Sequence, residues 1–369
     1  MSAPTNAADI LCEVRNHVAI ITLNRPAALN ALSYPMIVGL RAHLSRCAGD
    51  SGIRAILLQG AGEKAFCAGG DVRALYQSFK ESGTLHREFF IAEYALDYLL
   101  YSYPKPYVVV MDGITMGGGM GLAQASPLRI VGERTRIAMP EVGLGLIPDV
   151  GASYFLSRLP GSLGTYIALS GSQIRGADAV YARLADVYLA PSAVDSLVAD
   201  LAALKWTGDS AVDVRTVVHA RSAPGLPVPS LSVLRPAIDL HFSHGSVAGI
   251  LTSLDQESRP EYRDWAGQTA TLIRTRSPTM LFVTLRQLQL GRSLPLGSCF
   301  RMELGMVEQC FEQGDFIEGV RALLIDRDNA PRWSPSRLED VTDASVDAFF
   351  RDRWSGKTHP LEDLERSSF

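Results

Sequence analysis

Apolar runs closed by turns, with helical spacing between them, constrain this chain more than any other feature. Residues 18–23 (VAIITL) and 53–59 (IRAILLQ) are β-branched and aliphatic, and they end at Asn24-Arg25-Pro26 and Gly60-Ala61-Gly62. They read as buried strands. Between them Met36, Ile37, Leu40 and Leu44 recur at helical spacing across 34–47. Residues 106–111 (PYVVVM) and 128–131 (LRIV) repeat the pattern, with a short helix over 119–125 between them. Recurring strand and helix units with turns collecting at one edge describe an α/β fold whose site lies at the strand ends.

A further helix is predicted over 84–103, with Phe89, Phe90, Leu96, Leu99 and Leu100 on its apolar side. Glu93 falls on the line through Phe89, Leu96 and Leu100, an unusual place for a carboxylate. From Gly151 onward helices dominate, among them 277–290 and 301–312, and 151–159 has a helix pattern that makes Asp149 an N-cap candidate. The Pro-rich stretch 223–229 (APGLPVP) marks a boundary. The organisation expected is a catalytic core over 10–222, a helical region over 230–345 and a flexible charged tail over 355–369.

The 369 residues carry a net charge of −4, and the basic residues are scattered, with no nucleic-acid footprint. Five cysteines (Cys12, Cys47, Cys67, Cys299 and Cys310) form neither a CxxC pair nor a Cys/His cluster, which speaks against zinc and a disulfide framework. No window suits a membrane span, and the N-terminus shows neither a basic start nor an apolar stretch, so a cytoplasmic location is expected.

Two glycine-rich turns carry the chemistry. In AFCAGGD (65–71) Gly70 precedes Asp71, and Ala68 and Gly69 leave room for a ligand along the backbone. In DGITMGGGMGL (112–122) the spacing departs from G-x-G-x-x-G, so a dinucleotide fold is disfavoured, and Gly118 opens a helix with a free N–H. Two such amides aimed at one carbonyl oxygen make a socket for developing negative charge. Glu141 follows Pro140 in an otherwise apolar stretch, where desolvation makes a carboxylate a better base. By itself, Asp71 reads as a helix cap, Glu141 as a surface loop residue and Cys67 as packing. No G-x-S-x-G elbow or P-loop occurs.

With these residues in place the chain resembles the crotonase, or enoyl-CoA hydratase/isomerase, superfamily. NRPAALNAL (24–32), KAFCAGGD (64–71), ITMGGGMGL (114–122) and MPEVGLGLIPDVG (139–151) carry the likeness. The segments SPTMLFVTLRQL (277–288) and FIEGVRALLIDRDNAPRW (316–333) make it most similar to the 3-hydroxyisobutyryl-CoA hydrolase branch, over about 13–341. The resemblance implies repeated ββα units in a spiral core with a mainly helical C-terminal region. It implies cleavage of 3-hydroxyisobutyryl-CoA or a similar short 3-hydroxyacyl-CoA, as in valine breakdown, with no cofactor beyond the CoA of the substrate. Gly70 and Gly118 then match the oxyanion-hole donors and Glu141 the catalytic glutamate. Glu93 and Asp149 match the remaining substrate-contacting carboxylates, with Ala68, Gly69, Asp71 and Gly117 beside the ligand.

Hydratases of the superfamily carry a second glutamate two residues after the glycine triplet, and here that position is Gly121. Water addition across a double bond is therefore expected to be impaired. A hydratase or isomerase acting through Glu141 alone, and a non-catalytic CoA-binding scaffold, are the alternatives. Superfamily habit implies a homo-oligomer, a trimer or hexamer, that binds acyl-CoA, with neither nucleic acid nor membrane as partner.

Overall fold

The computed structural model describes residues 8–222, 225 and 227–366. Ten strands are present among them: β1 (Ile10–Arg15), β2 (Val18–Leu23), β3 (Ala55–Gly60), β4 (Ala65–Cys67), β5 (Tyr107–Val110), β6 (Ile114–Met116), β7 (Leu128–Val131), β8 (Arg136–Ala138), β9 (Ile174–Arg175) and β10 (Val187–Tyr188). They form a six-stranded sheet, ordered β1-β2-β3-β5-β7-β10, and a four-stranded sheet, ordered β4-β6-β8-β9. Only β1–β2 and β8–β9 pair antiparallel. The chain therefore alternates between sheets, β3 then β4, β5 then β6, β7 then β8.

The predicted apolar runs build the larger sheet because it is covered on both faces, which explains why VAIITL is continuous rather than alternating. Val18, Ile20, Leu57, Val108, Val110 and Ile130 face one side, while Ala19, Ile21, Leu23, Ile56, Leu58 and Val109 face the other. The apolar runs alone do not reveal the smaller sheet, although the ββα units implied by the resemblance provide for it. Its strands are two or three residues long, too short for a period-2 pattern to show.

Helices of the first part are α1 (Tyr34–Gly49), α2 (Val72–Lys80), α3 (Leu85–Tyr101), α4 (Gly118–Gln124), α5 (Ala152–Phe155), α6 (Leu163–Ser170), α7 (Gly176–Tyr181), α8 (Pro191–Ala202) and α9 (Ser210–Ala220). Then follow α10 (Ser230–His241), α11 (Val247–Asp255), α12 (Pro260–Arg274), α13 (Pro278–Gly291), α14 (Leu296–Gln313), α15 (Asp315–Val320) and α16 (Asp343–Asp347). A π-helical turn, Arg321–Ile325, continues α15. The helix expected over 151–159 is only α5 plus a 3-10 turn at Leu156–Arg158. In the Pro-rich connection, residues 223, 224 and 226 lie outside the described residues.

One apolar core runs across that connection, because Leu231, Ile238, Leu281, Phe300 and Phe316 join the same buried cluster as Ile21 and Leu40. The tail differs from its expectation. Within 355–366, Leu361 and Leu364 are buried and Glu365 pairs with Arg301 at 2.6 Å, so apolar anchors hold a stretch whose charge suggested looseness; residues 367–369 lie outside the described set. No described helix is long and apolar enough to cross a membrane.

Candidate active site

The glycine turns leave neighbouring strands of the small sheet. β4 pairs with β6, and β6 with β8, so the segments after these three strands emerge side by side. Gly69 (φ 102°) and Gly117 (φ 48°) adopt backbone angles that side-chain-bearing residues rarely reach, which is why glycine is needed there. Leu32 receives the chain after β4: its N–H donates to the Gly69 carbonyl at 2.8 Å and its carbonyl accepts from Asp71 N–H at 2.8 Å. The Gly70 N–H between them donates to no acceptor among the described residues. Gly118 is the first residue of α4, where an N–H has no intrahelical partner.

The turns are in contact. A Cβ placed on Gly69 would lie 3.7 Å from Gly118 N, and one on Gly117 would lie 3.4 Å from both Gly69 Cα and Glu141 Oε1. Glu141 opens the 3-10 turn Glu141–Gly143 just after β8. A cavity of about 350 Å³ results, lined by Ala68, Gly69, Gly70, Gly117, Gly118, Glu93, Glu141 and Asp149, with Phe89, Phe90, Leu144, Leu146, Arg276, Leu323 and Leu324. Asp71 is absent from it. Asp71 caps α2 through Ala74 N–H and pairs with Arg25 at 3.2 Å, in a groove of about 510 Å³ that adjoins the cavity at Gly70, Val72 and Leu324.

Glu93 comes from the buried face of α3, and a Cβ on Gly118 would collide with its Oε1. Glu93 Oε1 and Glu141 Oε2 are buried with no hydrogen-bond partner among the described residues, the condition of groups that await a ligand or water. Asp149 does not cap α5 with its side chain. Its Oδ2 accepts from Tyr94 OH at 2.6 Å, while the amides of Gly151 and Ser153 donate to Glu303 of α14 at 2.7 and 2.8 Å.

Five buried acids meet here. Burial, then the charge of Asp149, pushes Glu141 well above the carboxylate range. Burial raises Asp149 to about 6, against the stabilising Tyr94 hydrogen bond. Glu93 and Asp97 are likewise driven up by burial and by acidic neighbours, and Glu303 reaches about 8. Burial lifts Cys67 to about 12, which leaves it a packing residue.

Sequence reasoning missed Tyr94, Asp97, Glu303 and Arg276. Tyr94 and Asp97 carry a weak signal, as polar residues on the α3 stretch that already held Glu93. Asp97 explains Gly121: a Cβ on Gly121 would collide with Asp97 Oδ2 and lie 2.8 Å from Val150 Cβ, so no larger side chain fits.

Comparison with known proteins bears on the family and the fold. The family described as Enoyl-CoA hydratase/isomerase matches residues 18–350. The 3-hydroxyisobutyryl-CoA hydrolase of rat (Rattus norvegicus), mitochondrial by name, is 41% identical over 95% of this chain and 91% of its own. A probable 3-hydroxyisobutyryl-CoA hydrolase of Arabidopsis thaliana is 38% identical over 96% of each chain. Among solved structures, a carnitinyl-CoA dehydratase from Mycobacterium thermoresistibile superposes with a TM-score of 0.87 at 39% identity, covering 94% of this chain and 97% of that one. With its alternating sheets, paired glycine turns and buried glutamate, the chain belongs to the enoyl-CoA hydratase/isomerase family.

Proposed function

We propose that this protein is an acyl-CoA thioester hydrolase that cleaves 3-hydroxyisobutyryl-CoA, or a similar short 3-hydroxyacyl-CoA, to the free acid and CoA. The observation that carries the reading is Glu141, a buried carboxylate whose Oε2 has no partner among the described residues, beside two glycine turns with free amides. The thioester oxygen sits between the N–H groups of Gly70 and Gly118, which stabilise the negative charge that develops on it. Glu141 then either takes a proton from an attacking water or itself attacks the thioester carbon, forming a mixed anhydride and expelling the thiolate, with water cleaving the anhydride afterwards. Asp149 orients the 3-hydroxyl or passes a proton to the leaving sulfur. Glu93 flanks the acyl group, and the adjoining groove, lined by Arg25 and Arg73, offers a place for the phosphate end of CoA. The scheme calls for no metal or redox group.

The names of the solved relatives favour a second reading, hydration or dehydration of a CoA thioester. Gly121 opposes it, because the place of a second glutamate is packed against Asp97 and Val150. Thiol release from 3-hydroxyisobutyryl-CoA, measured beside loss of enoyl absorbance from a four-carbon enoyl-CoA, separates the two: thiol release without enoyl loss is expected, and the converse would replace hydrolase with hydratase. A panel of acyl-CoAs without any turnover would point to a binding scaffold. Single turnover in oxygen-18 water tests the covalent route, since label enters Glu141 only when water cleaves an anhydride at the Glu141 carbonyl, whereas direct attack of water on the thioester puts label in the product acid alone. Action in the cytoplasm and assembly as a trimer or hexamer belong to the same proposal, the first supported by five free cysteines.

A further inference from the structure

Arg276 is the one basic side chain among those lining the cavity. It ends the loop before α13 and is stapled to the glutamate turn, because the next residue, Ser277, donates its N–H to the Val142 carbonyl at 3.1 Å. Its Nε and Nη2 both donate to the Ser170 carbonyl, at 3.1 and 2.7 Å. Nη1 has no acceptor among the described residues, and no carboxylate there pairs with the guanidinium. Gly143 makes room for it: a Cβ there would come within 2.7 Å of Nη1, and since the Gly143 φ is not positive, space rather than backbone strain accounts for the glycine.

A half-buried guanidinium on a cavity wall, fixed by a neutral carbonyl and left without a counter-charge, has donor capacity to offer an anionic ligand. Burial pulls Arg276 below the usual arginine range, with no acid to offset it. The side chain stands against the Glu141–Gly143 turn and takes no part in the groove of Arg25 and Arg73. Its free Nη1 therefore lies on the Glu141 side of the cavity and apart from that groove.

We infer that Arg276 is a specificity-determining residue that binds a carboxylate at the distal end of the acyl group, so that the cavity takes monothioesters of short dicarboxylic acids as well as hydroxyacyl chains. The inference rests on the cavity being an acyl-CoA site. It is tested by calorimetric binding of two thioethers that cannot be hydrolysed, S-(3-carboxypropyl)-CoA and its neutral isostere S-(4-methylpentyl)-CoA, alongside free CoA. The carboxylate probe should bind the wild-type protein about tenfold more tightly than the isostere, the scale of one charge-assisted hydrogen bond. Arg276→Met should erase that preference and leave affinity for free CoA unchanged. Gly143→Ala, which keeps the charge but crowds Nη1, should weaken the preference and serves where the Met variant does not fold. Equal affinities in the wild type would overturn the inference. So would an Arg276→Met variant that weakens free CoA as much as the carboxylate probe, since the guanidinium would then serve the CoA moiety. Failure of every CoA species to bind would defeat the acyl-CoA reading itself, whereas binding without later hydrolysis would leave Arg276 supported.

Discussion

Tyr94 donates to Asp149 at 2.6 Å, a hydrogen bond that bears directly on the ionisation of that carboxyl. The phenol stabilises the Asp149 anion, opposing the burial that lifts it to about 6. Tyr94→Phe removes that support, so any limb of the rate profile that follows Asp149 ionisation should move to higher pH; a limb that stays put would detach Asp149 from the rate. Glu141→Gln should still bind CoA while thiol release falls by about 10²–10⁴, the range of a positioned general base, and unchanged turnover would remove Glu141 from the chemistry. Because Glu141 is held protonated beyond the ordinary carboxylate range, wild-type activity should rise with pH past that range before it levels. Stability runs the other way at Glu303. A folded value of about 8 against about 4.3 in the unfolded chain means its contribution is intact below the lower value and is lost as pH climbs through the upper one, which thermal melts of wild type and Glu303→Gln across that window would register.

At the scale of elements, α3 supplies Phe89, Phe90 and Glu93 to the cavity wall and Tyr94 and Asp97 behind it, while the first turn of α4 faces it. Gly118→Ala at that contact would drive a methyl into the Glu93 carboxyl, so a loss of about 1–3 kcal/mol in stability is expected together with lower turnover. A Gly118→Ala protein with wild-type melting and rate would contradict the contact. Helix α3 was legible from the spacing of its apolar residues, with Glu93 standing out where it broke their line, and β2, β3, β5 and β7 because double burial leaves unbroken aliphatic runs. The glycine turns and Glu141 were legible as residue types in a pattern. Asp149 was legible only through the family resemblance, since before a helix-like stretch an aspartate looks like a cap, and the acid that holds the Gly151 amide is Glu303, 152 residues further on. Arg276 was hidden, since an arginine just before a Ser-Pro helix start looks like solvent-facing charge.

For the whole molecule, the smaller sheet escaped the apolar pattern, and the packed end the charge pattern, because both depend on distant partners. Leu361 and Leu364 settle in the common core and Arg301 holds Glu365, so removal of residues 355–369 should lower the melting temperature. Leu361→Ala or Leu364→Ala alone should cost about 2–5 kcal/mol, and a truncated protein that melts like the full chain would show the anchors to be idle. Glu303 has a consequence for descent. Its carboxylate reaches back from α14 to the amides that follow Asp149, so the two halves of the gene share one anchor. Recombination that joins this N-terminal half to a relative's C-terminal half should yield a working chimera only when an equivalent acid travels with the transplanted part; otherwise the offspring inherits a complete set of reactive groups on a loop that nothing moors.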